Sequence, residues 1–173
     1  SLVAPIRASG GSINSGLLWL TGNPSFSVSM WLYIPECSTC EHRGWFLQLG
    51  APLPGSFHFI YYTQQYKTTN FTIPAHTLQI GRWQTTSIGG QLHVVLPQHQ
   101  WVHVATTYNS TKNRFCLFIN AQPQSCSFTN VSMEYDTGYP VVDVCGTTIS
   151  ATTDVAVDMD DLRLYNRAIS SSE

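Results

Sequence analysis

Charge is what this chain has least of. Lys, Arg, Asp and Glu together fill only 10% of its 173 positions, against about 25% in an ordinary soluble domain. The eight basic residues are scattered and the formal net charge is -2. With no stripe of Lys or Arg to neutralise phosphates, nucleic acid is not an expected partner. Long apolar runs are missing too: none approaches the ~18 residues of a membrane helix, so no membrane insertion of this segment is expected. The opening "SLVAPIRASGG" has no basic stretch followed by an apolar one, and so does not read as a signal peptide. No window repeats apolar residues at i, i+3, i+4 and i+7 over three turns, which argues against a long amphipathic helix.

Catalytic signatures are equally scarce. There is no Gly-x-Ser-x-Gly elbow, no glycine-rich phosphate loop and no His-Glu-x-x-His pair. Retaining glycosidases need two carboxylates about 5 to 5.5 Å apart, which a strand supplies from alternate positions. The glutamates are Glu36, Glu41, Glu134 and Glu173. In "EYDTGY" Glu134 and Asp136 have that spacing, but the next same-face positions, Gly138 and Pro140, carry no acid. The simpler reading is a polar turn, and the chain is not expected to be an enzyme.

What is present is β-forming. The composition is 43% hydrophobic and 12% aromatic, enough for one buried core at this length, so residues 1–173 read as a single domain. Ser, Thr, Asn and Gln make up roughly a third of the chain, which suits β surfaces and turns better than exposed helices. Short apolar or alternating segments separated by turn residues recur at 16–20, 26–34, 44–50, 57–63, 78–83, 91–96, 101–108, 114–120, 124–128, 139–144 and 157–166. That pattern predicts an all-β sandwich of antiparallel strands. The stretch "TQQYKTTNFTIPAHT" (63–77) reads as a long surface loop.

The five cysteines divide into three groups. Cys116 and Cys126 flank a hairpin whose turn falls at Asn120-Ala121, and facing residues on antiparallel strands lie within disulfide range. Cys37 and Cys40, in "ECSTCEH", either close a small loop or form half of a metal knuckle with His42; zinc needs four ligands and the usual second Cys or His pair at short spacing is absent, so the disulfide is preferred. Cys145 is left over, buried or paired across chains. His93, His99 and His103 alternate with apolar residues and read as hydrogen-bonded face residues rather than ligands. Acceptor sequons for N-glycosylation occur at Asn70, Asn109 and Asn130. With the cysteines they imply an extracellular chain, a fragment of a larger secreted or membrane-anchored protein; the ending "NRAISSSE" fits such a cut.

The segment "VDMDDLRLYN" raises a separate question. Alternation puts Asp158, Asp160, Leu162 and Leu164 on one face. If the leucines enter the core, Asp160 sits at its edge, where an unpaired carboxylate costs several kcal/mol. Ca²⁺ is one relief; turn amides or an arginine are the others.

Three stretches now point to a family. "FSVSMWLYIP" resembles an early core strand ending in tryptophan, "WVHVATTYN" with "RFCLFINAQ" resembles a Trp-x-His-Val-Ala strand pair and hairpin, and "VDMDDLRLYNRAISSSE" resembles a closing strand of the type Ile-Asp-Asp-Val-Arg-Ile-Tyr-Asn-Arg-Ala-Leu-Ser. In order and spacing, from about residue 13 to the end, the chain resembles the laminin-G-like and pentraxin-like branch of the concanavalin A-like lectin and glucanase superfamily. The resemblance implies a two-sheet jelly roll, with Trp101, Val104 and Ala105 in the core and the Asn109 sequon at the rim. It also implies a structural Ca²⁺ near the termini, held in part by Asp160. The late-loop double-calcium site of pentraxins is not recognisable.

The function this implies is non-catalytic recognition of a glycan or an extracellular protein, in adhesion or as part of a receptor. Aromatic rings stack on sugars and amides read hydroxyls, so Tyr62, Gln64, Tyr66, Arg82, Trp83 and Gln84 are the ligand candidates. The alternative is a self-associating or spacer module of a surface assembly, and a glucanase-type hydrolase is the remotest reading.

Overall fold

The computed structural model describes residues 6–7, 11–13, 24–35, 43–49, 57–83, 88–128, 142–144 and 157–170. In chain order its strands are β1 (Ile6–Arg7), β2 (Gly11–Ile13), β3 (Phe26–Tyr33), β4 (Arg43–Leu49), β5 (Phe57–Tyr62), β6 (Tyr66–Lys67) and β7 (Thr72–Ile73), then β8 (Thr77–Trp83), β9 (Ile88–Val95), β10 (Trp101–Asn109), β11 (Arg114–Ile119), β12 (Gln122–Phe128), β13 (Val142–Val144) and β14 (Asp158–Tyr165). They make a first sheet ordered β1-β14-β3-β10-β11-β12, a second ordered β2-β13-β4-β5-β8-β9, and a separate β6-β7 hairpin. Neighbours pair antiparallel, including strands far apart in sequence such as β14 with β3, and the architecture is a jelly-roll sandwich.

Two-residue periodicity explains why these segments pair as they do. In β3, Phe26, Val28, Met30 and Leu32 are buried in the core while Ser27, Ser29, Trp31 and Tyr33 take the other face. Strand β10 matches it: Val102, Val104, Thr106 and Tyr108 face inward, opposite Leu32, Met30, Val28 and Phe26. The layers meet through aromatic edges. The Phe57 ring of the second sheet lies 5.4 Å from Phe26 and 5.8 Å from Phe115 of the first, both nearly perpendicular, a favourable edge-to-face geometry.

Strand β5 departs from simple alternation because all six of its residues are buried. Phe57, Phe59 and Tyr61 fill the central core, while Ile60 and Tyr62 form a second small cluster with Ile73, against which Tyr66 packs. Residues 63–77 are thus not a plain surface loop. They fold into the β6-β7 hairpin, whose turn is tied by Thr68: its N–H donates to the Phe71 carbonyl at 2.9 Å, and its hydroxyl oxygen accepts from the N–H groups of Asn70 and Phe71. The apolar contact of Ile73 and Tyr66 with β5 holds this short hairpin down.

The hairpin at Asn120-Ala121 forms where expected, and both residues have positive φ, 50° and 62°, as a type I′ two-residue turn requires. It brings Cys116 opposite Cys126, with Cα atoms 4.0 Å apart, and a disulfide joins them. The strand expected at 16–20 and residues 139–141 of another lie outside the described residues. Among the described residues no helix is long and apolar enough to cross a membrane.

Candidate ligand-binding site

The ligand candidates among the described residues do not converge. Tyr62 is only 3% exposed, beneath the β6-β7 hairpin, with its hydroxyl donating to Gln79 Oε1 at 2.8 Å. It cannot stack on a sugar. Tyr66 is half-buried against it, with ring centroids 5.6 Å apart, and Gln64 is an exposed loop residue. Arg82 pairs with Phe57, at the opposite end of β5 from Tyr62, about 16 Å away at the usual rise per residue. Trp83 follows it, and Gln84 lies outside the described residues. One strand thus separates candidates that composition alone had grouped.

The outer face of the first sheet gathers a different set. Pairing across β14, β3, β10 and β11 arranges its outward side chains in rows. Tyr33 stands beside Trp101, and Trp31 beside His103. Ser29 and Ala105 come next, flanked by Arg163 and Phe118, then Ser27 and Thr107, flanked by Tyr165 and Cys116. The first two rows form an aromatic shelf: the Trp31 and His103 rings lie 5.2 Å apart, and Tyr33 and Trp101 5.6 Å. Trp31 is 39% exposed and Trp101 44%, so Trp101 is not a core residue. It falls on the outward phase of β10, between the inward Val102 and the end of the strand. Ala105 shares that phase and is buried on the outer side, while Val104 does enter the core.

The last two rows form a floor of small side chains below the level of their neighbours. A cleft of about 170 Å³ results, over Ser29, Ala105 and Thr107. Phe118 walls one flank, and Arg163 and Tyr165 the other. At one end stand His103 and Ala121, at the other Ile169 and Ser170. That last wall is pinned by the buried Ser27, whose hydroxyl donates to the Arg167 carbonyl and accepts from the Ile169 N–H, each at 2.9 Å.

The charged wall depends on a bulge. Between Asp160 and Arg163, β14 carries one residue more than β3, and Asp161 takes a positive φ of 48°. Val157 and Met159 enter the core before the bulge, and Leu162 and Leu164 pack against it afterwards. Simple parity placed Asp160 with those leucines; the extra residue instead leaves it opposite Trp31, on the outer face, as bulges commonly re-aim side chains. Asp160 Oδ1 accepts from the Asp161 N–H at 2.8 Å. Asp161 pairs with Arg163 through two contacts, 2.8 Å to Nε and 2.7 Å to a terminal nitrogen, the bidentate geometry that fixes a guanidinium plane. Hydrogen bonds to Asp161, then to Tyr165, raise the pKa of Arg163, whose guanidinium is charged in any case.

Among the described residues no group of three or more His, Cys, Asp or Glu is placed to hold a metal ion. A Ca²⁺ at Asp160 would take its other oxygens from elsewhere in the chain. His93 is an exposed residue of β9, His99 lies in a bend with a positive φ of 58°, and His103 is the partner of Trp31. Asn70 is exposed in the hairpin turn, and Asn109 ends β10, where its side-chain oxygen accepts from Thr111 and Lys112. Cys37, Cys40, His42, Asn130, Glu134, Asp136 and Cys145 lie outside the described residues.

This geometry can now be set beside known proteins. A laminin-G family model, described as concanavalin A-like lectin/glucanases superfamily, matches residues 8–173. The chain belongs to that superfamily. No curated protein matches it. Among solved structures, the Ruminococcus gnavus sialidase CBM40 bound to α2,3-sialyllactose superposes with a TM-score of 0.69 at 12% identity, over 98% of this chain and 91% of that one. A Bacteroides ovatus protein assigned, without proof of activity, to carbohydrate binding gives 0.67 at 13%, over 96% and 44%. The binding domain of botulinum neurotoxin DC in complex with rat synaptotagmin II gives 0.61 at 10%, over 87% and 34%, so the chain spans about a third of that neurotoxin structure. At such identities the likeness is one of fold.

Proposed function

We propose that this laminin-G-like domain is a non-catalytic, extracellular recognition module that binds a glycan on the outer face of its first sheet, in an adhesion or receptor protein. The observation that carries the reading is the aromatic shelf of Trp31 and Trp101 beside a small-floored cleft that mixes apolar walls with a few polar groups. Exposed rings offer apolar faces to the C–H face of a sugar, while Ser29, Thr107, Tyr165 and the Asp161–Arg163 pair offer hydrogen-bonding groups to its hydroxyls. The only acid lining the cleft among the described residues, Asp161, is held by Arg163, an arrangement that suits binding better than proton transfer. Fold neighbours solved with sialyllactose and with rat synaptotagmin II support ligands of either class without identifying one.

Glycan-array binding by the intact domain tests this. Trp31→Ala should lower affinity by about tenfold, the equivalent of one stacked ring, with the β circular-dichroism spectrum unchanged. An array without a single bound glycan would exclude the reading and favour the alternative, a protein or self-association surface, for which the same exposed tryptophans are suited; native mass spectrometry would then find a dimer. A structural Ca²⁺ at Asp160 belongs to the same proposal. Adding Ca²⁺ should raise the melting midpoint by several degrees and chelator should reverse it; superimposable melts rule the ion out.

A further inference from the structure

The cleft has lining residues at both ends of its floor, where a groove for a continuous chain would run on. Polymer-binding grooves run past the ligand at both ends, so that each added unit finds a further contact. Here one end is walled by His103, whose backbone is held by Asn120: the His103 main-chain N–H donates to Asn120 Oδ1 at 2.9 Å, and the Asn120 N–H donates to the His103 carbonyl at 2.8 Å. The other end is blocked by the segment after β14. That segment does not drift over the sheet, because the buried Ser27 hydroxyl bonds it twice, to Arg167 and to Ile169. The volume of about 170 Å³ is below the ~300–1,000 Å³ of clefts that enclose drug-sized ligands. It suits one small unit.

The electrostatics narrow the unit further. Arg163 is the one cation among the cleft-lining residues that keeps a fixed charge, and its Nε and one terminal nitrogen are both engaged by the Asp161 carboxylate. The wall therefore presents a neutral pair, and an anionic group entering the cleft would meet a carboxylate as well as a guanidinium.

We infer that the cleft is a chain-end pocket, taking the terminal unit of a neutral glycan, and that Ser27 is a positioning residue that holds the end wall against longer chains. This rests on the glycan-binding reading. Isothermal titration of the intact domain with cello-, malto-, chito-, xylo- and manno-oligosaccharides, each from disaccharide to octasaccharide, separates the two. For a chain-end pocket, affinity per molecule in the bound series stays within about twofold from trimer to octamer, and stays so as salt is raised. A rise of about tenfold or more with length overturns the chain-end inference and leaves glycan binding intact; no binding in any of these series, with a glycan bound on the array, overturns the neutral chain-end inference alone, and only an array that is empty as well overturns both. A tenfold loss in salt would overturn the neutral-unit part. Ser27→Ala should open the end wall, so that octamers gain several-fold over trimers. The wild-type length series decides the matter even if that variant folds poorly.

Discussion

The outer faces of the two sheets start from the same alternation and end in opposite states. On the second sheet, Ile60 and Tyr62 of β5 and the neighbouring Gln79 are buried, because Ile73 and Tyr66 of the β6-β7 hairpin fold over the β5 side chains. On the first, the equivalent positions of β3 and β10 carry Trp31 and Trp101, and both remain partly exposed. Strand patterning thus decides which side chains leave the central core, while a later segment of chain decides whether they become a second core or a surface. A ring on a strand's outward phase is a binding group only where nothing returns to cover it.

The sharpest way to break that comparison is to remove one ring from each face. Tyr62→Ala should cost about 3 kcal/mol or more of unfolding free energy, by cavity formation and by removing the donor to Gln79, with little effect on glycan binding. Trp31→Ala should do the reverse, costing about 1 kcal/mol through its lost contact with His103 while weakening binding. Urea unfolding of the two variants measures the difference; equal stability losses would mean that the faces are not distinct.

The covered face also titrates differently. Burial pushes the His58 imidazole from its usual 6.5 down to about 3. The unfolded chain therefore takes up this proton near pH 6.5 and the folded chain only near pH 3, so the folded state is fully favoured above 6.5 and loses ground as pH falls through that window. The loss should reach several kcal/mol by pH 4. Desolvation lowers His93 as well, with the same sign. In a series of urea melts from pH 7.5 to 4, His58→Gln should flatten the slope without abolishing it, and an unchanged slope would remove His58 as its source.

At the edge of the open face, the Cys116–Cys126 disulfide spans ten positions, and closing so short a loop contributes roughly 2–3 kcal/mol. Replacing both cysteines with serine should lower the melting midpoint by that measure without changing the length dependence of glycan binding. Cys126 is itself exposed on the edge strand, so the bond secures β12 without filling the core.

Much of this was legible in the residues. The strand at 26–34 and the facing cysteines depend only on local periodicity, and both appear as expected. What escaped depends on contacts between distant residues or on a change of register. The bulge at Asp160-Asp161 has no glycine or asparagine to mark it, yet one added residue moves Asp160 from the leucine face to the tryptophan face. Tyr62 looked available because its cover, Ile73, lies eleven positions on in strands two residues long. For the open cleft a signal did exist: Trp31 and Trp101 stand out of phase with Met30, Leu32 and Val102, and a large ring on the polar phase of a core strand marks a surface.

The mildest test concerns the turn that ends the open face. Asn120 and Ala121 both hold positive φ, which asparagine tolerates and alanine resists because its Cβ crowds the following carbonyl, at a cost of about 1–2 kcal/mol. Glycine relieves that strain but loses roughly 0.5–1 kcal/mol more chain entropy on folding. Ala121→Gly should therefore stabilise the domain by a few tenths to about 1 kcal/mol, seen as a melting midpoint raised by a few degrees at most. Because Ala121 contributes only to the end of the cleft beside His103, the glycan length series should keep its shape. If instead longer chains gained affinity, removal of this one methyl group would have opened the pocket, and the end wall at His103 would be shown to depend on the turn as much as on the ring.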